Sequence, residues 1–109
     1  MLVFPLKKEW YEKYKSGEKT IEYREVKPYW TKRLKNAMIA KRGEIELLLL
    51  GFACLRPRIP HRCKLRLGYT NKYLTADIEQ IEVIDGINTD LQINKFVYAI
   101  HLTNIKECE

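Results

Sequence analysis

Apolar and polar positions change period several times along this chain, and each change predicts an element boundary. Leu2-Val3-Phe4-Pro5-Leu6 is a short apolar stretch. Pro5 brings no amide donor, which predicts an opening strand at a sheet edge or strand end. From Lys7 to Ser16 polar residues enclose Trp10 and Tyr14 four apart, with Glu9 and Lys13 paired at the same spacing. That pattern fits one helix of about ten residues, and Gly17 follows as its C-terminal cap. Lys19 to Val26 predicts a strand whose period of two puts Thr20, Glu22 and Arg24 on one face and Ile21 and Tyr23 on the other. The apolar pair is expected to anchor the core and the charged pair to look outward. Pro28 then opens a second helix through Tyr29, Trp30, Arg33 and Leu34, ending near Gly43.

Glu44 to Leu55 contains the longest apolar run and predicts a buried strand, with Gly51 marking a bulge or close backbone approach. Arg56-Pro57-Arg58-Ile59-Pro60-His61-Arg62 reads as a basic loop stiffened by its two prolines. Lys64 to Tyr69 and Leu74 to Val83 predict further strands, separated by a turn at Thr70-Asn71-Lys72. The apolar parity switches from Ala76 and Ile78 to Ile81 and Val83, which predicts a bulge near Glu79 or Gln80. A loop from Asp85-Gly86 to Asn94 leads to a closing strand from Phe96 to Leu102. Five or six short strands with two helices in the N-terminal half describe an α+β, mainly β, protein. Its architecture is a small curved or closed barrel forming a single domain over residues 1–109.

Composition narrows the function classes. The 109 residues are 46% hydrophobic and 31% charged, which is globular and not disordered. No apolar run approaches the roughly 20 residues that span a bilayer, and no secretory leader stands at Met1 to Leu6, so no membrane partner and a cytoplasmic location are expected. Net charge is +6. It is uneven: residues 1–43 carry +7, residues 44–76 carry +4 and residues 77–109 carry −5. Such asymmetry suits a polyanionic partner met by the first two thirds. Cys54, Cys63 and Cys108 are odd in number and form no C-x-x-C pair, against a disulfide framework. Cys54, His61 and Cys63 match no standard zinc spacing, so no metal or other cofactor is expected, and Cys54 reads as a small core residue. His101, on a strand beside Ala99, reads as a hydrogen-bonded, half-buried imidazole.

The candidate chemistry lies at Gly17-Glu18-Lys19-Thr20-Ile21-Glu22-Tyr23-Arg24. Arg24 offers a planar donor fork for a phosphate or a guanine edge, and Lys19 a second, mobile positive charge. Glu22 can hold Arg24 and can accept from the exocyclic amine of a base. Tyr23, Tyr29 and Trp30 offer stacking surfaces for an unpaired base, although Trp10 and Trp30 also lie on apolar helix stripes that suit packing. Arg56, Arg58 and Arg62 could track a nucleic-acid backbone. Spacing alone favours a solvated strand face with salt bridges worth about 0 to 1 kcal/mol each.

Gly17-x-Lys19-x-x-Glu22-x-Arg24, placed after a strand and a helix, resembles the signature of the ASCH domain family in the PUA-like superfamily. The likeness takes in the helix with Trp10, Pro28-Tyr29-Trp30 and Phe96-x-Tyr98-x-Ile100-x-Leu102, and leaves out Arg56 to Tyr73. It implies a PUA-like β-barrel with a cleft between barrel and first helix, lined by the motif's charged residues, that binds RNA or a modified nucleoside. Some members of the family are hydrolases of acetylated cytidine or of RNA. In the amidohydrolase group a threonine stands two residues before the motif arginine. Glu22 occupies that position here, which removes the presumed nucleophile, and Thr20 lies about 6 to 7 Å further along the strand. Three readings follow: an RNA-binding module; a metal-independent hydrolase with Glu22 as general acid or base and Lys19 and Arg24 stabilising negative charge; and an adaptor that docks an acidic protein.

Overall fold

The computed structural model describes residues 2–57 and 61–108. Its elements are β1 (Leu2–Leu6), α1 (Lys8–Lys15), β2 (Ile21–Glu25), α2 (Pro28–Met38), α3 (Arg42–Leu49), β3 (Arg62–Leu67), β4 (Tyr73–Asp85) and β5 (Phe96–Cys108), with a 3-10 turn at Gly86–Asn88. The strands form one sheet in the order β1-β3-β4-β5-β2. β1 and β3 run parallel and the other neighbours antiparallel. Mainly β with three helices, the protein is a curled half-barrel, consistent with the small barrel that the strand pattern predicts.

The curl follows from the two 13-residue strands at its centre. Their ladder slips register between Thr75 and Asp77 and again between Ile78 and Gln80, the second where the parity switch places a bulge. Each slip bends the strand and strengthens its twist. The concave face carries Leu2, Phe4, Leu6, Leu65, Ile81 and Ile100, all buried. The three helices fill that concavity with Tyr14, Trp30, Leu34 and Leu48. His101 Nε2 hydrogen-bonds the Glu82 carboxylate at 3.0 Å and is half-buried, as its strand position suggests.

Three expectations fail, each for a local reason. Glu44 to Leu55 is not a strand: α3 occupies most of it. Its apolar run is rich in leucine, a good helix former, and Glu44 at the third helical position accepts from the Lys41 amide as an N-terminal cap. Ile45 and Leu48, three apart, are the residues that bury. Gly51 is the stop. It takes φ 77°, and the amides of Gly51 and Phe52 bond the carbonyls of Leu48 and Leu47, so the glycine read as a bulge is a Schellman cap. The second helix ends at Met38, short of Gly43, and the described residues form three helices instead of two.

The second correction concerns β2. Glu22 pairs with Ile100 and Arg24 with Tyr98, both of which face the interior, so the charged pair points inward. Glu22 is 4% exposed, whereas Ile21 and Tyr23, assigned to the core, sit half-exposed on the convex face. The third concerns cysteine. Cys54 is exposed, because it follows the helix stop and precedes the short bridge of Leu55 to Ile81, while Cys63 is fully buried in β3. Burial pushes the Cys63 thiol up to about 12.

Two outcomes follow. Iodoacetamide at pH 8 should alkylate Cys54 in the native protein and spare Cys63, both reacting in urea; equal native labelling read by peptide mass would contradict the packing. Burial also raises Tyr14, Tyr98 and Cys63 above their unfolded values of 10.0, 10.0 and 9.0. Raised acids favour the folded state fully below those values, so stability should be constant to about pH 9 and fall as pH climbs toward 12 and beyond. Urea midpoints across that range test the sign.

Candidate functional site

The half-barrel is open along one seam, between the free edges of β1 and β2, and the cleft lies there. Arg24 spans it. From β2 its Nη2 donates to the carbonyl of Pro5 on β1 at 2.8 Å. Nε and Nη2 reach Glu22 Oε2 at 2.7 and 2.6 Å. Glu22 Oε1 in turn accepts from the Tyr14 hydroxyl of α1 at 2.8 Å. The guanidinium also lies 4.8 Å from the Trp30 ring centre and 5.4 Å from Phe4, rings that stack on each other at 5.4 Å. One side chain thereby ties both sheet edges to two helices. Burial, then the Glu22 charge, hold the Tyr14 phenol far above its ordinary value, so it remains a donor.

Lys19 arrives by a local route. Gly17 takes φ 83° at the end of α1, and the turn lets the Lys19 amide bond the Lys13 carbonyl at 3.1 Å. That folds Lys19 back along the helix it has just left. Its ammonium lies 4.9, 5.5 and 5.1 Å from the rings of Trp10, Tyr14 and Tyr23, and it is ion-paired with Asp90. Only 11% of the Lys19 side chain is exposed. A lysine enclosed by three rings and a carboxylate is fixed in direction, though it retains donors beyond the one that Asp90 takes.

The cleft measures about 340 Å³. Lys19, Glu22, Tyr23, Arg24 and Trp30 all line it, so five of the nine sequence-predicted residues converge. Tyr29 does not: it is 55% exposed, edge-on to Trp30, with Arg33 over its ring. Arg56 is exposed outside the cleft. Arg62 starts β3 beside Leu2, and the cleft lies at the Pro5 and Leu6 end of the neighbouring strand, about 13 Å away. Arg62 is moreover engaged by Asp77 at 3.4 Å and Thr75 at 3.0 Å. Arg58 lies outside the described residues. The basic loop therefore does not join this site through Arg56 or Arg62.

Four contributors escape sequence reasoning. Tyr14 has the signature of a packing residue, and its hydroxyl role depends on Glu22 pointing inward. Asp90 sits in the loop before β5 with no flanking signal. Lys7 and Lys27 line the cleft, both exposed, and neither is ion-paired to any described residue. They flank the ends of β1 and β2, a position visible only once the seam is known. Among the described residues no three His, Cys, Asp or Glu side chains lie close enough to hold a metal ion, and no helix is long and apolar enough to cross a membrane.

What the arrangement can do is limited by what is already paired. Glu22 accepts from three donors, the Tyr14 hydroxyl and Nε and Nη2 of Arg24. The guanidinium Nη1 has no acceptor among the described residues, nor is it sealed from solvent as a buried orphan would be. A rigid, half-free arginine in an aromatic-walled cleft with two open lysines has the donors to hold a planar anion or a base edge. Comparison of the chain with models of protein families, with curated proteins and with solved structures gives no match.

Removing Arg24 strands a buried carboxylate, which typically costs about 3 to 5 kcal/mol. Arg24→Ala should lower stability by that order in urea unfolding, and Tyr14→Phe, which removes one donor from Glu22, by about 1 to 3 kcal/mol. Arg24→Ala with wild-type stability would show that the seam needs no clasp.

Proposed function

We propose that the cleft binds single-stranded RNA by one unpaired or modified base, as an ASCH-like, PUA-like module. The observation that carries the reading is the Arg24 fork, fixed by Glu22 on one side with Nη1 open on the other. Nη1 can donate to a base acceptor or a phosphate oxygen, and a spare lone pair on Glu22 can accept from an exocyclic amine. Trp10 and Tyr23 supply ring area at the wall, where stacking of one base contributes about 1 to 3 kcal/mol. Lys7 and Lys27 stand where the flanking phosphates would pass. A volume of about 340 Å³ lies within the range of small-ligand sites, roughly 300 to 1,000 Å³.

Hydrolysis draws less support from the same geometry. A general acid or base must exchange a proton with substrate, and Glu22 is held by Arg24 and Tyr14 in a fold-closing role. Nothing in the cleft specifically favours an acidic protein over a nucleic acid.

Binding to a labelled single-stranded RNA should weaken with salt at a slope of about −3 to −4 for four to six neutralised phosphates. Lys7→Glu with Lys27→Glu should make that slope shallower by about 1.4 and leave the melting temperature unchanged. Salt-independent affinity, or a double variant that binds as the wild type does, would refute the reading.

A further inference from the structure

We infer that a groove along α2 carries the RNA strand onward from the cleft. The inference rests on the reading of the cleft as a base site. The groove has a volume of about 660 Å³, with Lys27, Lys32 and Lys35 as its cations and Val26, Pro28 and Leu49 as apolar lining. No carboxylate lines it, and α2 contains none. The three lysines are exposed, and none is ion-paired to a described residue. Elsewhere several cations are ion-paired: Lys15 with Glu107, Lys19 with Asp90, Arg62 with Asp77 and Lys95 with Glu25. Lys27 lines both hollows, so they adjoin at that residue.

Geometry and charge select the occupant. Lys27 to Lys35 spans about 12 Å at the helical rise, a row of one sign beside an apolar strip. A single strand presents evenly spaced phosphates with flat apolar faces between them, which suits a groove that carries Lys27, Lys32 and Lys35 together with Val26, Pro28 and Leu49. An acidic peptide meets the same charge, but only a nucleic acid continues from a base seated in the cleft.

The test compares a mixed-sequence RNA of about 12 nucleotides, followed by anisotropy, with a dinucleotide confined to the cleft, followed by tryptophan quenching. Lys32→Glu with Lys35→Glu should weaken the longer RNA about tenfold or more and make its salt slope shallower by about 1.4. Dinucleotide affinity and melting temperature should not change. Unchanged affinity and slope for the longer RNA would overturn the groove. A wild-type protein that ignores the dinucleotide yet loses the longer RNA on charge reversal would overturn the cleft reading and support the groove alone. Displacement of the longer RNA by poly-glutamate at lower charge concentration would overturn RNA as the occupant.

Discussion

A curled sheet that stops short of closure leaves two edges facing each other with unpaired backbone groups, and in this protein Arg24 bridges them. β1 and β2 share no ladder. The bond from Arg24 to the Pro5 carbonyl stands in for one, and Glu22 keeps the guanidinium aimed along it. Pro5 suits this role because its ring removes an amide that the open edge could not satisfy, while its carbonyl remains an acceptor. Placing two charges on the inner face of an edge strand is costly unless each is paired and hydrogen-bonded. Tyr14 and the paired geometry meet that condition, so α1 is locked to the seam by the requirement that keeps the seam charged.

The cleft is a consequence of that incomplete closure. A continuous ladder between β1 and β2 would have left no hollow, and an apolar seam would have collapsed into the core. A charged clasp holds the edges at a fixed spacing with rings packed beside it. The stacked pair of Trp30 and Phe4 lies against the guanidinium, and Lys19 is enclosed by Trp10, Tyr14 and Tyr23. The residues that clasp the seam are therefore also residues that line the cleft. Substituting Arg24 or Glu22 would confound stability with binding, whereas Lys7, Lys27, Lys32 and Lys35 are free of that ambiguity.

Much of the fold was legible because period and punctuation agree in β1, α1, α2, β3, β4 and β5, down to the bulge beside Gln80. The strand reading of Glu44 to Leu55 failed because a short apolar run has no decisive period, and Gly51 signals a helix stop as well as a bulge. For β2 the positions were right and the direction was reversed. Period two separates Glu22 and Arg24 from Ile21 and Tyr23, yet which set faces inward depends on Tyr14, Pro5 and Trp30, which are distant in sequence or on other elements. Asp90 was invisible for the same reason: it meets Lys19 across 71 positions. The motif itself was legible as a lysine, a glutamate and an arginine at fixed offsets after a helix stop, while its clasping geometry is a tertiary fact.

Charge read along the chain overstates the field that the folded surface presents. The acidic last third supplies Asp77, Asp90 and Glu107, which pair with Arg62, Lys19 and Lys15 from the basic first two thirds. Long-range pairing thus consumes part of the asymmetry that runs from +7 to −5. α2 escapes it because the helix carries no acid and its exposed lysines reach none on a neighbour. Surface ion pairs contribute little to stability, about 0 to 1 kcal/mol each, so leaving these lysines unpaired costs the fold almost nothing. An unpaired row beside a cleft is therefore cheap to maintain, and it is one place where the positive charge of the sequence is left uncompensated after folding.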